Sequence, residues 1–313
     1  MNTIKTVLVA GAGTMGRQIS LQCALHGFSV HLYDVSADVL RQAEGQIQAY
    51  ATQLEAQNRW SRPEVEAAVA RIQLTPDPEQ AAQADLLSES IPEDPQLKAR
   101  FYAQFGALCP PHTIFTTNTS SLLPSMFAKA TGRPDRFCAL HFHTYVWDSN
   151  VVDIMPHPGT AQEVVRQVEA FSCQIGQIPI LLQKESYGYV FNAMLNALNR
   201  AAMTLAANDV ASVEDVDRAW MGVMKTAIGP FGILDVVGLD TAHSITRYWA
   251  DVLNDPQLKT NAAFLERYLE DGRLGVKSGS GFYNYPNPVY AQASFLEQGG
   301  NLAANRGTPP ESS

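Results

Sequence analysis

Sulfur pairs, long apolar runs and positive charge are what this sequence has least of. Its four cysteines, Cys23, Cys109, Cys138 and Cys173, are widely spaced with no CxxC among them. That spacing excludes a disulfide framework and a cysteine zinc site, and leaves reduced packing residues of the kind found in the cytosol. No apolar run approaches the ~20 residues of a membrane span. The nearest, Phe191 to Ala207, is interrupted by Asn192, Asn196, Asn199 and Arg200. Lys and Arg number 22 against 31 Asp and Glu, a net charge of -9, which argues against nucleic acid or an anionic membrane as partner. A negatively charged substrate would meet basic groups only locally. The first strand pattern starts within a few residues of Met1, which leaves no room for a signal peptide, so a cytoplasmic protein is expected. There is no internal repeat. At 313 residues the chain suits about two domains.

What is present is organised around TVLVAGAGTMG, residues 6–16. Val7, Leu8 and Val9 form an apolar run without polar alternation, the pattern of a strand buried on both faces of a parallel sheet. Gly11, Gly13 and Gly16 follow in GxGxxG spacing, and Met15 to Leu25 continues with helical periodicity. Strand, glycine turn and helix in that order form a dinucleotide site: one glycine for the turn, one for close approach of a pyrophosphate, one for helix packing. A second strand, Ser29 to Tyr33, ends at Asp34, about 20 residues on, where a carboxylate accepts the ribose hydroxyls of NAD. A competing reading makes Asp34 the cap of the helix beginning near Ser36. Val35 and Ser36 offer no cation for a 2'-phosphate, so NAD is expected over NADP.

Further strands are expected at Ala84 to Ser90, Ile114 to Thr117, Phe137 to Phe142, Val151 to Met155 and Ile178 to Leu182. Helices are expected from Ala37 to about Gln57, after Ser61, from Pro95 to Leu108 and from Thr160 to Ile175, the first two forming a hairpin that projects from the sheet. Beyond Gln183 only helices remain: 187–208, 213–224, 230–254 and 260–271. The architecture is therefore α/β: a doubly wound, Rossmann-type parallel sheet over 1–184, a helical substrate and dimerisation domain over 185–285, and a loop-like, mobile tail over 286–313. Ligands of such sheets bind beyond the strand carboxyl ends, so Glu93, Asn118, Ser120 and His141 should converge. A nicotinamide dehydrogenase needs a base for the hydroxyl proton, for which His141 is suited, with Asp153 on the next strand to fix its tautomer. His143 is the rival base. A ligand set of His141, His143 and His157 lacks supporting Cys or carboxylate spacing, so no metal is expected.

The runs VAGAGTMGRQIS, ESIPEDPQLK, TNTSSLLPS, RFCALHF with VVDIMPHP, GYVFN, and GPFGILDVVGLDT with GVKSGSGFYNY resemble the L-3-hydroxyacyl-CoA dehydrogenase family across nearly the whole chain. The resemblance is to the short bacterial branch that includes diketoreductase. It implies NAD-dependent interconversion of 3-hydroxy and 3-keto acyl groups by a homodimer. By position it makes His141 the catalytic base and places Asp153 where a partner glutamate usually stands. Ser120 and Asn192 match the residues that hold the substrate oxygen. Met15, Glu93, Lys98, Asn118 and Lys277 match cofactor-side positions. Read without the family, Ser120 is a helix cap, Asn192 a buried amide in a core helix, Glu93 a first-turn acid and Lys277 a solvated loop charge. Two departures stand out: Asp153 is one methylene short, and HFHTY replaces HFFNP, so Thr144 takes the place of an asparagine. Coenzyme A carries phosphates that call for Lys or Arg. Between Val35 and Gln73 only Arg41, Arg59, Arg62 and Arg71 are basic, so a non-CoA 3-keto or 3,5-diketo acid or ester is a second substrate class. A third reading is a non-catalytic, crystallin-like dinucleotide-binding protein.

Overall fold

The alternation expected of a doubly buried strand is met in a computed structural model of the chain, which describes residues 4–297. Val7 and Val9 of β1 (Thr6–Ala10) join one apolar cluster, while Leu8 and Ala10 join another on the opposite face. The first cluster takes side chains from α1 (Thr14–Leu25), α2 (Ala37–Ala56), α3 (Arg62–Ala70) and α7 (Gln162–Gln174). The second takes them from α4 (Pro78–Ala81), α5 (Pro95–Leu108) and α6 (Ser125–Ala128). Helices therefore cover both faces, as a mostly parallel sheet requires.

Among the described residues one eight-stranded sheet runs in the order β3-β2-β1-β4-β5-β6-β7-β8. The remaining strands are β2 (Ser29–Tyr33), β3 (Ile72–Thr75), β4 (Leu86–Glu89), β5 (Ile114–Thr117), β6 (Phe137–Phe142), β7 (Val151–Pro156) and β8 (Ile178–Leu181). All neighbouring strands are parallel except β6 and β7. Their connection, residues 143–150, is too short for the crossover that a parallel pair needs. Three expectations are corrected. β3, with only Ile72 and Leu74 as apolar markers, was not anticipated. The α2–α3 hairpin does not project: Leu40, Ile47, Leu54, Val65 and Ala68 lie in the main core. The helix expected over 230–254 is two, α10 (Pro230–Val237) and α11 (Leu239–Val252), broken at Gly238 by a φ of 97°.

The described residues form two compact units that divide between Ala193 and Met194, inside α8 (Phe191–Ala207). The second unit adds α9 (Val213–Met224), α10, α11 and α12 (Pro256–Glu270) around Phe231, Leu234, Phe264, Leu265 and Phe282. Of the tail expected to be mobile, residues 286–297 form two short 3-10 turns with Phe295 buried; 298–313 lie outside the described residues. No helix is long and apolar enough to cross a membrane among the described residues. All four cysteines are free. Burial pushes the thiols of Cys23, Cys109 and Cys138 up to about 12, as expected of packing residues, whereas Cys173 is exposed.

Two buried carboxylates organise the second unit. Asp217 accepts from the Phe231 and Gly232 N–H groups at the start of α10 and from the Tyr283 hydroxyl. Asp235 accepts from the Phe282 and Tyr283 N–H groups and the Tyr285 hydroxyl, so the GFYNY run wraps it. Burial outweighs these donors and pushes Asp217 up to about 6, and Asp235 upward as well. The folded state therefore holds a proton longer than the unfolded chain, and stability is lost as pH rises from about 4 to about 6. Two pKa units limit the Asp217 share to about 3 kcal/mol. In calorimetric melts across that range, Asp217→Asn should flatten this fall relative to the parent chain. Parallel Tm curves for the two proteins would refute the linkage.

Candidate active site

Each glycine of the 6–16 turn has its own steric reason. Gly11 adopts φ 96°, and a Cβ there would lie 2.5 Å from the Ser90 carbonyl at the end of β4. A Cβ on Gly16 would sit 1.8 Å from the Gly11 carbonyl, so nothing larger lets α1 pack against the turn. Around Gly13 there is open space. α1 has no side-chain cap and no acid in its first turn, so its leading N–H groups are left for an anion. Asp34 accepts from the Ala12 N–H at 2.9 Å and the Ser36 N–H at 3.0 Å. It is not the cap of α2; the Ser36 hydroxyl is, accepting from the Val39 N–H. A carboxylate has about four acceptor positions, so two remain for ribose hydroxyls. These features fit a dinucleotide.

The turn opens on a cleft of about 220 Å³ lined by Met15, Ser90, Ile91, Glu93, Lys98, Asn118 and Ser120. The turns after β1, β4 and β5 thus bring together Glu93, Asn118 and Ser120, whereas His141, expected beside them, is not part of the lining and lies buried near the end of β6. Lys98 lines the cleft, but its ammonium is committed to a buried ion pair with Glu89 at 2.5 Å. Glu89 also accepts from the Tyr102 hydroxyl at 2.9 Å, the Thr117 hydroxyl at 2.7 Å and the Ile91 N–H at 2.9 Å. Sequence reasoning missed Glu89; a carboxylate closing a short strand just ahead of the loop to α5 was the available signal. Glu93 stands 3.2 Å from Lys98 and accepts from the Thr119 and Ser121 hydroxyls. Burial would raise its carboxyl, but the Thr119 hydroxyl, the Lys98 charge and the Ser121 hydroxyl together lower it.

Antiparallel register sets His141 directly opposite Asp153. Nδ1 of His141 lies 3.2 Å from Asp153 Oδ2. Burial would raise the Asp153 carboxyl; hydrogen bonds and charge from His141 and His143 overcome it and bring it down to about 2. An ionised carboxylate only accepts, so Nδ1 carries a proton, and in the neutral ring Nε2 then presents the lone pair. His143 faces the same oxygen, its Nε2 at 3.5 Å, with the two rings edge to face at 4.9 Å. Asn118 Oδ1 accepts from the Phe142 N–H at 2.7 Å, tying the cleft rim to the histidine strand. Thr144 reaches the Met15 sulfur at 3.7 Å.

Tyr189, also missed from sequence, stacks on His141 at 4.7 Å with its hydroxyl buried and unpartnered among the described residues. It is a non-glycine residue at φ 53°, a backbone held against its preference beside the imidazole. Asn192 lies half-buried in the first turn of α8 rather than inside a core helix, as its apolar neighbours had indicated. Lys277 belongs to the second unit, its ammonium 2.6 and 2.7 Å from the two oxygens of Asp240. His157 spends both ring nitrogens on the Pro134 carbonyl and the Gly159 N–H, which removes it from the three-histidine ligand set.

Residues 6–186 match the family model of the 3-hydroxyacyl-CoA dehydrogenase NAD-binding domain, and residues 188–285 match that of the same family's C-terminal domain. The chain belongs to the 3-hydroxyacyl-CoA dehydrogenase family. It is an NAD-dependent oxidoreductase of that family. A probable 3-hydroxybutyryl-CoA dehydrogenase of Bacillus subtilis is 31% identical over 282 residues, 90% of this chain and 98% of the relative. Human mitochondrial hydroxyacyl-coenzyme A dehydrogenase is 32% identical over 288 residues, 90% and 91% of the two chains. Among solved structures, a diketoreductase described for dual catalysis of dicarbonyl compounds shares 39% identity at a TM-score of 0.84, covering 91% of this chain and all of the other. (S)-3-hydroxybutyryl-CoA dehydrogenase PaaH1 from Ralstonia eutropha shares 28% identity at 0.83 with the same coverage.

Proposed function

We propose that this dehydrogenase interconverts L-3-hydroxyacyl-CoA and 3-ketoacyl-CoA, with His141 as general acid and base. The observation that carries the reading is the His141–Asp153 pair on the strand that Asn118 ties to the cleft. NAD, when bound, takes or returns the hydride at the substrate's C3. In oxidation Nε2 of His141 takes the hydroxyl proton as the C–O bond becomes a carbonyl; in reduction it gives one back. Asp153 holds Nδ1–H and balances the imidazolium that forms, as an orienting acid does. Ser120 and Asn192 hold the substrate oxygen. Gly11, Gly13, Met15, Gly16, Asp34, Glu93, Lys98, Asn118 and Lys277 serve the cofactor side, Lys98 by fixing Glu93 rather than as a free cation.

The division of labour follows the sequence: 1–184 for NAD, 185–285 for substrate and dimerisation. A homodimer in the cytoplasm is part of this reading. The dimer is supported by exposed apolar side chains on α9, α10 and α11, among them Val223, Val236 and Tyr248 at 78%, 64% and 61% exposure.

A second reading keeps the reaction and replaces the thioester by a free or esterified 3-keto or 3,5-diketo acid. It is favoured by the 39% identity to diketoreductase and by the absence of lysine between Val35 and Gln73, where Arg41, Arg59 and Arg62 are already paired with Asp38, Asp148 and Glu66. NADH oxidation with acetoacetyl-CoA, with acetoacetate and with a 3,5-diketo ester separates the two. The thioester should give the highest kcat/KM. A diketo ester turned over faster would transfer the assignment to the second reading, and NADH binding without turnover of any of them would leave a crystallin-like role.

A further inference from the structure

We infer that His141, His143 and Asp153 form a binding site for a divalent transition ion of the Zn²⁺ class, which arrests the catalytic base when filled. His141 and His143 project from the same side of the end of β6, and Asp153 stands opposite on β7. Two imidazoles and one carboxylate on adjacent antiparallel strands form a facial set with open positions for water. Nδ1 of His141 and Nε2 of His143 lie 3.2 and 3.5 Å from Asp153 Oδ2, and a ligand atom from each of the three residues lies within 4.8 Å of the others. Bonds of about 2.0–2.1 Å in a tetrahedron put neighbouring ligand atoms roughly 3.3–3.4 Å apart, so a shift of the His143 ring closes the triangle.

A second observation points the same way. Nε2 of His143 is buried and meets the Asp153 oxygen only at 3.5 Å, outside good hydrogen-bond geometry. A buried polar atom so weakly partnered is costly, and an ion between ring and carboxylate satisfies it. The His143 side chain keeps 16% exposure, which marks the entry side.

The functional consequence rests on His141 being the base. An ion on Nδ1 requires that nitrogen's lone pair and puts the ring proton on Nε2, so Nε2 can no longer accept from the substrate hydroxyl. It also takes the Asp153 oxygen that orients the ring. Divalent ion should therefore inhibit reversibly, with recovery on chelation.

The test uses untagged full-length protein carrying Cys173→Ser, so that the exposed thiol does not compete. Co²⁺ should give visible d–d absorption displaced by Zn²⁺, and calorimetric Zn²⁺ titration should give one site. Both His143→Phe and His143→Gln should weaken Zn²⁺ binding at least ~10-fold, since each removes a ligand. Absence of Co²⁺ bands, or equal Zn²⁺ affinity in the parent and both variants, overturns the site. One-site binding lost in the variants but without loss of rate upholds the site and removes His141 as the base. Inhibition that chelation reverses upholds both.

Discussion

Replacing His141 by alanine should lower kcat by about 10²–10⁴, the usual share of a positioned general acid and base, while NADH affinity stays within about twofold. The separation of the two effects follows from geometry. The cofactor-side residues, Gly13, Asp34 and the cleft wall at Glu93, are held by bonds that do not involve the imidazole. His141 meets the rest of the protein through Asp153, Tyr189 and His143. Asp153→Asn should lower kcat less, because the ring nitrogen keeps a hydrogen-bond partner but loses the charge that balances the imidazolium. Steady-state kinetics and fluorescence titration of NADH measure both quantities. A His141→Ala enzyme of parental rate would hand the proton to His143, which already faces the same carboxylate oxygen.

That rivalry shows where sequence reading runs out. The order of strand, glycine turn, helix and acid was legible because each step has a local cause: Gly11 needs a left-handed φ, Gly16 meets a carbonyl, and Val7 to Val9 alternates between two cores. The boundaries of β6 were legible too, since FCALHF is an uninterrupted buried run. What was illegible depended on pairing across the sheet. β3 has four residues and gains its identity from its register with β2. The antiparallel turn of β7 is a matter of connection length. His143 was visible as a neighbour of His141, but that both rings share one oxygen of Asp153 follows from the β6–β7 register alone. The same holds for Lys98. Its place in ESIPEDPQLK marked it as a cofactor residue, and only the fold shows its charge spent on a strand-end glutamate nine residues earlier.

The buried Lys98–Glu89 pair therefore carries the largest expected stability effect. Both side chains are essentially inaccessible, at 1% and 0% exposure. Removing one partner of such a pair leaves a charge that water cannot reach, at a cost of about 3–5 kcal/mol. In a unit of this size each kcal/mol shifts Tm by about 2–4 °C, so Lys98→Met should melt roughly 6–20 °C below the parent chain. The remaining donors, from Tyr102, Thr117 and Ile91, still hold Glu89 but supply no positive charge. Adding Glu89→Gln removes the stranded charge while keeping an acceptor for those groups, so the double variant should recover a substantial part of the loss. Recovery tells an unpaired charge from mere loss of the lysine stem's packing, which the second substitution would not repair. NADH binding supplies an independent readout, because Glu93 loses the ammonium 3.2 Å away that helps fix it at the cleft. The double variant should thus be restored in Tm yet still bind NADH more weakly than the parent. A single variant melting within about 2 °C of the parent would mean that Glu89 needs no ammonium, its remaining donors or a bound proton sufficing to satisfy it.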